Sequence, residues 1–381
     1  MKLRFLALLL LVSSASANDA VVKEHSVVTA GQVSGSQSTM VDPDGDIHVR
    51  FEFNDRGRGP ELETLVRLDD DGVPVHFSIS GVNYFKADVS EQFVVEGNLA
   101  TWETASEESQ ADRYDGKFYV PFNTAPEIDA LLARALLKSK DHQLDLLPVG
   151  TARIELFTDL SVESNGNTLH VSLYGIHGLD TEPALIWLDD SGELFSVDYG
   201  WFGIVRKGWE SSIDLLKEHR TLALNEHYED IAADVTTELS GLTVIRGARI
   251  FDSLDGQLTD PATVFVWNGV ISAIYFEDTS IPDESTVIEA EGKTLIPALW
   301  DMHGHVSTRD HLNYLASGIT NVRDMGNNAE KIFRLDSAVR KGTLAGPDVH
   351  PLGFIDKSGE FAAPTGMLAD SLDDAIEYVD Y

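Results

Sequence analysis

Thr294-Leu295-Ile296-Pro297-Ala298-Leu299-Trp300-Asp301-Met302-His303-Gly304-His305 is an apolar run that ends in two histidines one residue apart. On an extended strand, residues i and i+2 face the same side, so both imidazoles are presented together. Imidazole is the commonest protein ligand for zinc and related ions, and Gly304 between the rings leaves backbone room for an ion to approach. A bare His-X-His is more often a strand end with two solvent-facing histidines. The flanking sequence has to decide.

Upstream stand Leu242-Thr243-Val244-Ile245-Arg246-Gly247-Ala248-Arg249-Ile250-Phe251-Asp252, Thr263-Val264-Phe265-Val266-Trp267-Asn268-Gly269-Val270-Ile271 and Glu289-Ala290-Glu291-Gly292-Lys293. Downstream come Gly318-Ile319-Thr320-Asn321-Val322-Arg323-Asp324-Met325-Gly326 and Gly346-Pro347-Asp348-Val349. In order and spacing these segments resemble the amidohydrolase superfamily over residues 241–381. One departure is Ala298, where the family usually has glycine after the proline; alanine is easily accommodated in an extended segment.

The resemblance implies a small β domain at residues 241–297, followed from residue 298 by a TIM-type (β/α)8 barrel, whose sites lie at the C-terminal ends of the strands. His303 and His305 fall at such an end and are the implied metal ligands, holding a divalent metal such as Zn2+ as one or two ions. Asp301 and Asp324 are candidates for orienting the histidines, with ordinary strand-end carboxylates as the alternative reading. The implied reaction is attack of metal-activated water on an amide-type C–N bond of a small molecule or short peptide. The stretch from Gly353 through Ala363-Pro364-Thr365-Gly366 most resembles members acting on dipeptides ending in proline or on small cyclic amides. A barrel takes about 250 residues, and residues 298–381 supply only about three βα units. The remaining family ligands, a lysine, two histidines and the proton-shuttle aspartate, are expected beyond Tyr381, so the chain reads as an N-terminal fragment. His311 is expected on a helix surface, and His350 as a satisfied strand-end histidine, with a place lining the site mouth as its alternative.

Composition sets outer limits on this reading. The 381 residues, 43% of them hydrophobic, are enough for more than one core. Lys and Arg total 28 against 63 Asp and Glu, a net charge of −35. Such a field repels phosphate backbones and anionic bilayers, so neither nucleic acid nor membrane is expected as a partner. There is no cysteine, which excludes disulfides, thiolate metal sites and cysteine nucleophiles.

Residues 1–17 read as an export signal, with Lys2 and Arg4 before an apolar run too short to span a bilayer and Ala15-Ser16-Ala17 as the cleavage site. A periplasmic or extracellular location follows. Residues 18–240 are mostly of period two, as in Ile47, Val49, Phe51 and Phe53, or Leu169, Val171 and Leu173. Turn pairs Asp44-Gly45, Asp71-Gly72, Asn165-Gly166 and Ser191-Gly192 separate these runs, which predicts an antiparallel β domain. One helix interrupts it, with Ile128, Leu131, Leu132, Ala135 and Leu136 on one face behind Pro126. Asp42, Asp44 and Asp46 fit a hairpin turn better than a calcium loop, because Gly45 comes too early for an EF-hand. The echo between Leu68-Asp69-Asp70-Asp71-Gly72 and Leu188-Asp189-Asp190-Ser191-Gly192 is more simply one turn chemistry used twice than a duplication.

A connecting helix is predicted from residue 211 to about 235, and strands with Asp255-Gly256 and Asn268-Gly269 hairpins over 241–296. After His305 helical stretches at 309–317, 328–341 and 371–381 alternate with β-rich runs at 319–323 and 349–354, the βα signature of a parallel sheet. The rival functional reading is a non-catalytic exported binding protein with a vestigial barrel segment. The export signal is checked directly: mass spectrometry of the mature protein is expected to find Asn18 first, and an intact Met1 would remove the assignment.

Overall fold

A computed structural model of the chain describes residues 22–29, 31–359, 362 and 366–380. Residues 1–17, read as the export signal, and Ala363, Pro364 and Thr365 lie outside these. The chain divides into two compact units, the first ending at Ala223 and the second beginning at Leu224.

In the first unit β1 (Val22–Thr29), β2 (Gln32–Val41), β3 (Ile47–Phe53), β4 (Glu61–Leu68), β5 (Pro74–Val82), β6 (Asp88–Glu96), β7 (Leu99–Glu103) and β8 (Glu108–Ala111) form an antiparallel meander. A second series runs β9 (Phe118–Tyr119), α1 (Pro126–Lys138), β10 (Gln143–Leu147), β11 (Thr151–Ser164), β12 (Asn167–His177), β13 (Ala184–Asp189), β14 (Leu194–Asp198) and β15 (Phe202–Arg206). Strand β15 pairs antiparallel with β1, His25 opposite Arg206, which joins both series in one 15-stranded sheet. The parallel pair β9 and β10 has α1 between its strands, because a parallel connection needs a crossover that a tight turn cannot provide.

While the central stretches of β1, β13 and β14 are buried on both faces, alternation buries one face of most of this sheet and α1 lies in the resulting core. Its predicted stripe of Ile128, Leu131, Leu132, Ala135 and Leu136 is buried in one cluster with Phe51, Phe77, Phe93, Leu146 and Ile186. The turns share one mechanism. Asp42 Oδ1 accepts the amides of Asp44 and Asp46, Asp69 Oδ1 those of Asp71 and Val73, and Asp189 Oδ1 those of Ser191 and Glu193. Asn83 Oδ1 does the same for Phe85 and Ala87. Each is an Asx-stabilised loop with its third following residue in the left-handed region, at Gly45, Gly72, Gly192 and Lys86. The sequence echo is therefore this turn, used four times. Asn165-Gly166, with φ of 51° and 78°, is a tight two-residue hairpin, whereas Asp44, Asp71 and Ser191 keep negative φ.

Helix α2 (Ile213–Val235) carries the boundary between the units and buries Leu216, Leu224, Tyr228 and Ala232. The second unit starts with β16 (Leu242–Asp252), β17 (Gln257–Leu258), β18 (Ala262–Trp267), β19 (Val270–Tyr275), β20 (Thr286–Glu289) and β21 (Thr294–Leu295). Strand β16 is the hub of this sheet, antiparallel to β17 and β18 and parallel to β20 and β21. Then β22 (Leu299–Gly304), α3 (His311–Ala316), β23 (Ile319–Asp324), α4 (Ala329–Lys341) and β24 (Asp348–Pro351) give a parallel three-stranded sheet. The start of the expected βα alternation is present; a closed barrel is not among the described residues. Asn328 caps α4 through the Lys331 amide and Gly342 ends it at φ 74°. A short parallel pair, β25 (Ile355–Asp356) and β26 (Met367–Leu368), precedes α5 (Leu372–Asp380), whose start carries the reciprocal Ser371 and Asp374 capping bonds.

His311 corrects an expectation: it is not on the surface but fully buried. Helix α3 is only six residues long and follows a 3-10 turn, Thr308–Asp310, so no α-helical stripe existed to show which way residue 311 faces. Its ring lies so close to Gly346 that an added Cβ there would stand 2.0 Å from Nδ1. Among the described residues neither ring nitrogen has a hydrogen-bond partner. Burial pushes its pKa down to about 4. As pH falls, the unfolded chain therefore takes up this proton first. The associated stability is complete above pH 6.5 and lost between 6.5 and about 4. A displacement of that size corresponds to roughly 3 kcal/mol. Urea unfolding of the wild type and of His311→Leu is expected to diverge in favour of the variant as pH drops from 7 toward 4.5. Parallel pH profiles would show that the ring is not held neutral by burial.

Candidate metal centre

Strand β22 delivers the His303-Gly304-His305 stretch at its C-terminal end. Asp301 pairs with Val322 and Gly304 with Asp324, so β22 fits three residue steps against two on β23. This is a bulge, a device that re-aims side chains at sheet ends. The His303 and His305 ring centroids are 5.5 Å apart and the planes are inclined by 71°. Two imidazoles sharing one tetrahedral ion at Zn–N distances of about 2.0–2.1 Å would have centroids roughly 5 to 5.6 Å apart. The observed separation lies within that range.

Gly304 has a different job from the one its position suggested. It is buried, and a Cβ there would stand 2.6 Å from Val322 Cγ1 and 3.0 Å from the Tyr314 hydroxyl. The missing side chain makes room for neighbouring protein atoms rather than for an ion.

Both candidate carboxylates flank the histidines and both grip backbone. Asp301 Oδ1 accepts the His303 amide at 3.0 Å while Oδ2 accepts the Tyr314 hydroxyl at 3.1 Å. Burial, with Asp301 adding to it, pushes the Tyr314 phenol up to about 12. It therefore stays a donor at neutral pH. Asp324 is fully buried, and its Oδ2 accepts the Val306 amide at 2.8 Å. Neither carboxylate reaches an imidazole. His305 instead contacts the Gly326 carbonyl through Nδ1 at 2.9 Å, whereas the exposed His303 ring makes no hydrogen bond among the described residues.

The other histidines are elsewhere. His350 stacks on Trp300 at 4.6 Å and approaches Asn321 Oδ1 through Nε2 at 3.4 Å. His311 lies in the interior beside Gly346. Among the described residues no three of His, Cys, Asp and Glu are grouped so as to hold a metal ion. The described residues bring these two imidazoles together and no third group of this kind. Tyr314 and Gly326 escaped the sequence reading, Tyr314 because its role depends on how α3 packs, and Gly326 because its contribution is a backbone carbonyl.

No family model matches the chain, and no curated protein matches it. Among solved structures it is similar to a prolidase complexed with N-methylphosphonate-L-proline, at 23% identity over 36% of this chain and 38% of that one, with a TM-score of 0.28. It is similar to an amidohydrolase at 19% identity, 36% and 43% coverage and a TM-score of 0.31. A Xaa-Pro dipeptidase with bound methionine in its active site gives 25% identity, 35% and 38% coverage and a TM-score of 0.29. These neighbours are amidohydrolase-superfamily members. The chain spans about two fifths of the length of the structures it matches.

Two imidazoles fill two of the four positions of a tetrahedral ion. The 381-residue chain is accordingly expected to lose zinc during gel filtration, as read by elemental analysis of the eluted protein. Stoichiometric retention that survives His303→Ala would place the ion elsewhere.

Proposed function

We propose that this chain carries the first ligands of an exported metal-dependent hydrolase of the amidohydrolase superfamily, which cleaves an amide-type C–N bond. The observation that carries the reading is the placement of two imidazoles, at a separation suited to one ion, on the C-terminal end of the first strand of a parallel βαβαβ unit. Strand ends of this kind are where parallel α/β folds place their chemistry.

His303 and His305 would hold the ion, Zn2+ being the one suited to such a donor set. A divalent ion in such a site lowers the pKa of its bound water to about 7 and polarises a scissile carbonyl. The chain's own contribution is to present the two rings and to fix the strand end between them. Asp301 and Asp324 do this by accepting the amides of His303 and Val306, on either side of the pair. The substrate class we propose is a small molecule or short peptide, with proline-terminated dipeptides and small cyclic amides suggested by the sequence from Gly353 to Gly366. A location in the periplasm or outside the cell is part of the proposal, supported by the export signal read in residues 1–17.

The test uses the protein as its gene encodes it. Loaded with Zn2+, it is expected to hydrolyse a panel of Xaa-Pro dipeptides and cyclic amides, and His303→Ala to abolish both turnover and bound metal. Unaltered turnover in His303→Ala would remove the proposal.

A further inference from the structure

The loop after β23 holds more of His305 than its one carbonyl contact. A carbonyl oxygen only accepts, so the 2.9 Å contact from His305 Nδ1 to the Gly326 oxygen requires the proton on Nδ1. In the neutral ring that leaves the lone pair on Nε2. The Gly326 amide in turn donates to Asp324 Oδ1 at 3.1 Å, and Asp324 Oδ2 accepts the Val306 amide. Asn327 closes the circuit: its Nδ2 donates to the Val306 carbonyl at 2.8 Å and to Asp324 Oδ2 at 3.1 Å. The backbone N–H and C=O of Val306, the residue after His305, are thus both held by residues 324–327.

We infer that Asn327 is a positioning residue, which with Asp324 and the Gly326 carbonyl locks His305 into the tautomer that offers Nε2 as a ligand. Asn327 suits the task chemically. Its amide supplies two protons, one for the carbonyl and one for the carboxylate, while its own oxygen accepts the Asn328 amide at 3.1 Å. The neighbouring Asn328 caps α4, so capping does not explain Asn327. Gly326 suits its place as well, at φ 156° and with the Phe354 ring 3.3 Å from where a Cβ would stand. His303 has no such anchor, and the two rings are therefore held unequally.

This assignment rests on the metal reading only for its purpose, and two separate readouts keep them apart. In the 381-residue chain labelled with 15N-histidine, long-range nitrogen–proton spectra report which ring nitrogen of His305 is protonated, with the resonance assigned by its loss in His305→Gln. At neutral pH and without metal, His305 is expected as the Nδ1–H tautomer. Asn327→Ala is expected to give mixed tautomers. Asn327→Asp, which cannot donate and sets a second carboxylate beside Asp324, is expected to be worse. Unchanged His350 signals in each variant show that the unit is still folded. Zn2+ titration of the same samples is then expected to show an affinity loss of about 10- to 100-fold in Asn327→Ala, the usual range for an outer-shell partner. An Nε2–H tautomer in the wild type, or variants that leave tautomer and zinc affinity unchanged, would overturn the inference. Correct tautomers with no zinc response at His303 and His305 would instead overturn the metal reading and leave the clamp standing.

Discussion

A carboxylate buried away from solvent needs donors from the protein, and Asp324 finds three: the amides of Val306 and Gly326 and the side-chain amide of Asn327. No lysine or arginine is among them. The order of the strand ends follows from that requirement, because the donors come from the loops after β22 and β23 and can meet Asp324 only if those loops lie side by side. The Met325 amide bonded to the Gly304 carbonyl at 2.9 Å extends the same junction. Removing the carboxylate would leave the buried Val306 amide unmet, at a cost of about 1–3 kcal/mol, and would loosen the part-buried Gly326 and Asn327 donors. The charge that aligns the site is thus also what joins its first two strands.

The first unit resolves a buried carboxylate differently. Glu127, in the first turn of α1, is buried and accepts Arg134 Nη2 at 2.8 Å and Thr39 Oγ1 at 3.3 Å. Its own amide donates to Gln37 Oε1 at 3.2 Å, so β2 supplies two polar partners to the start of the helix. A helix start leaves amides unsatisfied, and Ala125 offers no side-chain cap. Polar residues on the buried face of β2 fill that role. These two hydrogen-bonding contacts fix where α1 meets the sheet, which hydrophobic burial alone would leave free to slide.

What could be read in the sequence follows the range of each interaction. The alternation around Ile47 and Leu169, the stripe of α1 and the Asn268-Gly269 turn are settled by residues a few positions apart, and they stand where the pattern predicts. The order of the large sheet is not local. Strand β1 pairs with β15 across some 180 residues, and nothing in Val22–Thr29 announces Phe202–Arg206 as its neighbour. The site divides in the same way. The histidine pair is a contiguous motif and was legible, while Tyr314, Gly326 and Asn327 act through packing between elements. His311 was misread because a six-residue helix behind a 3-10 turn carries too little periodicity to show its inner face.

The unequal holding of the two histidines has an energetic side. Freezing a side chain with rotamer freedom costs about 0.5–1.5 kcal/mol when it happens on binding. His305 has met that requirement in the folded chain, since its ring is tied to Gly326 and its backbone neighbour Val306 is tied at both ends. His303 has only its amide fixed, by Asp301, and its exposed ring is left to be ordered when a ligand arrives. One imidazole is therefore a preset donor and the other an adjustable one. Nearly all of the contacts that fix His305 originate at the end of β23 and in the loop after it, so the orientation of a ring on the first strand depends on residues borrowed from the second.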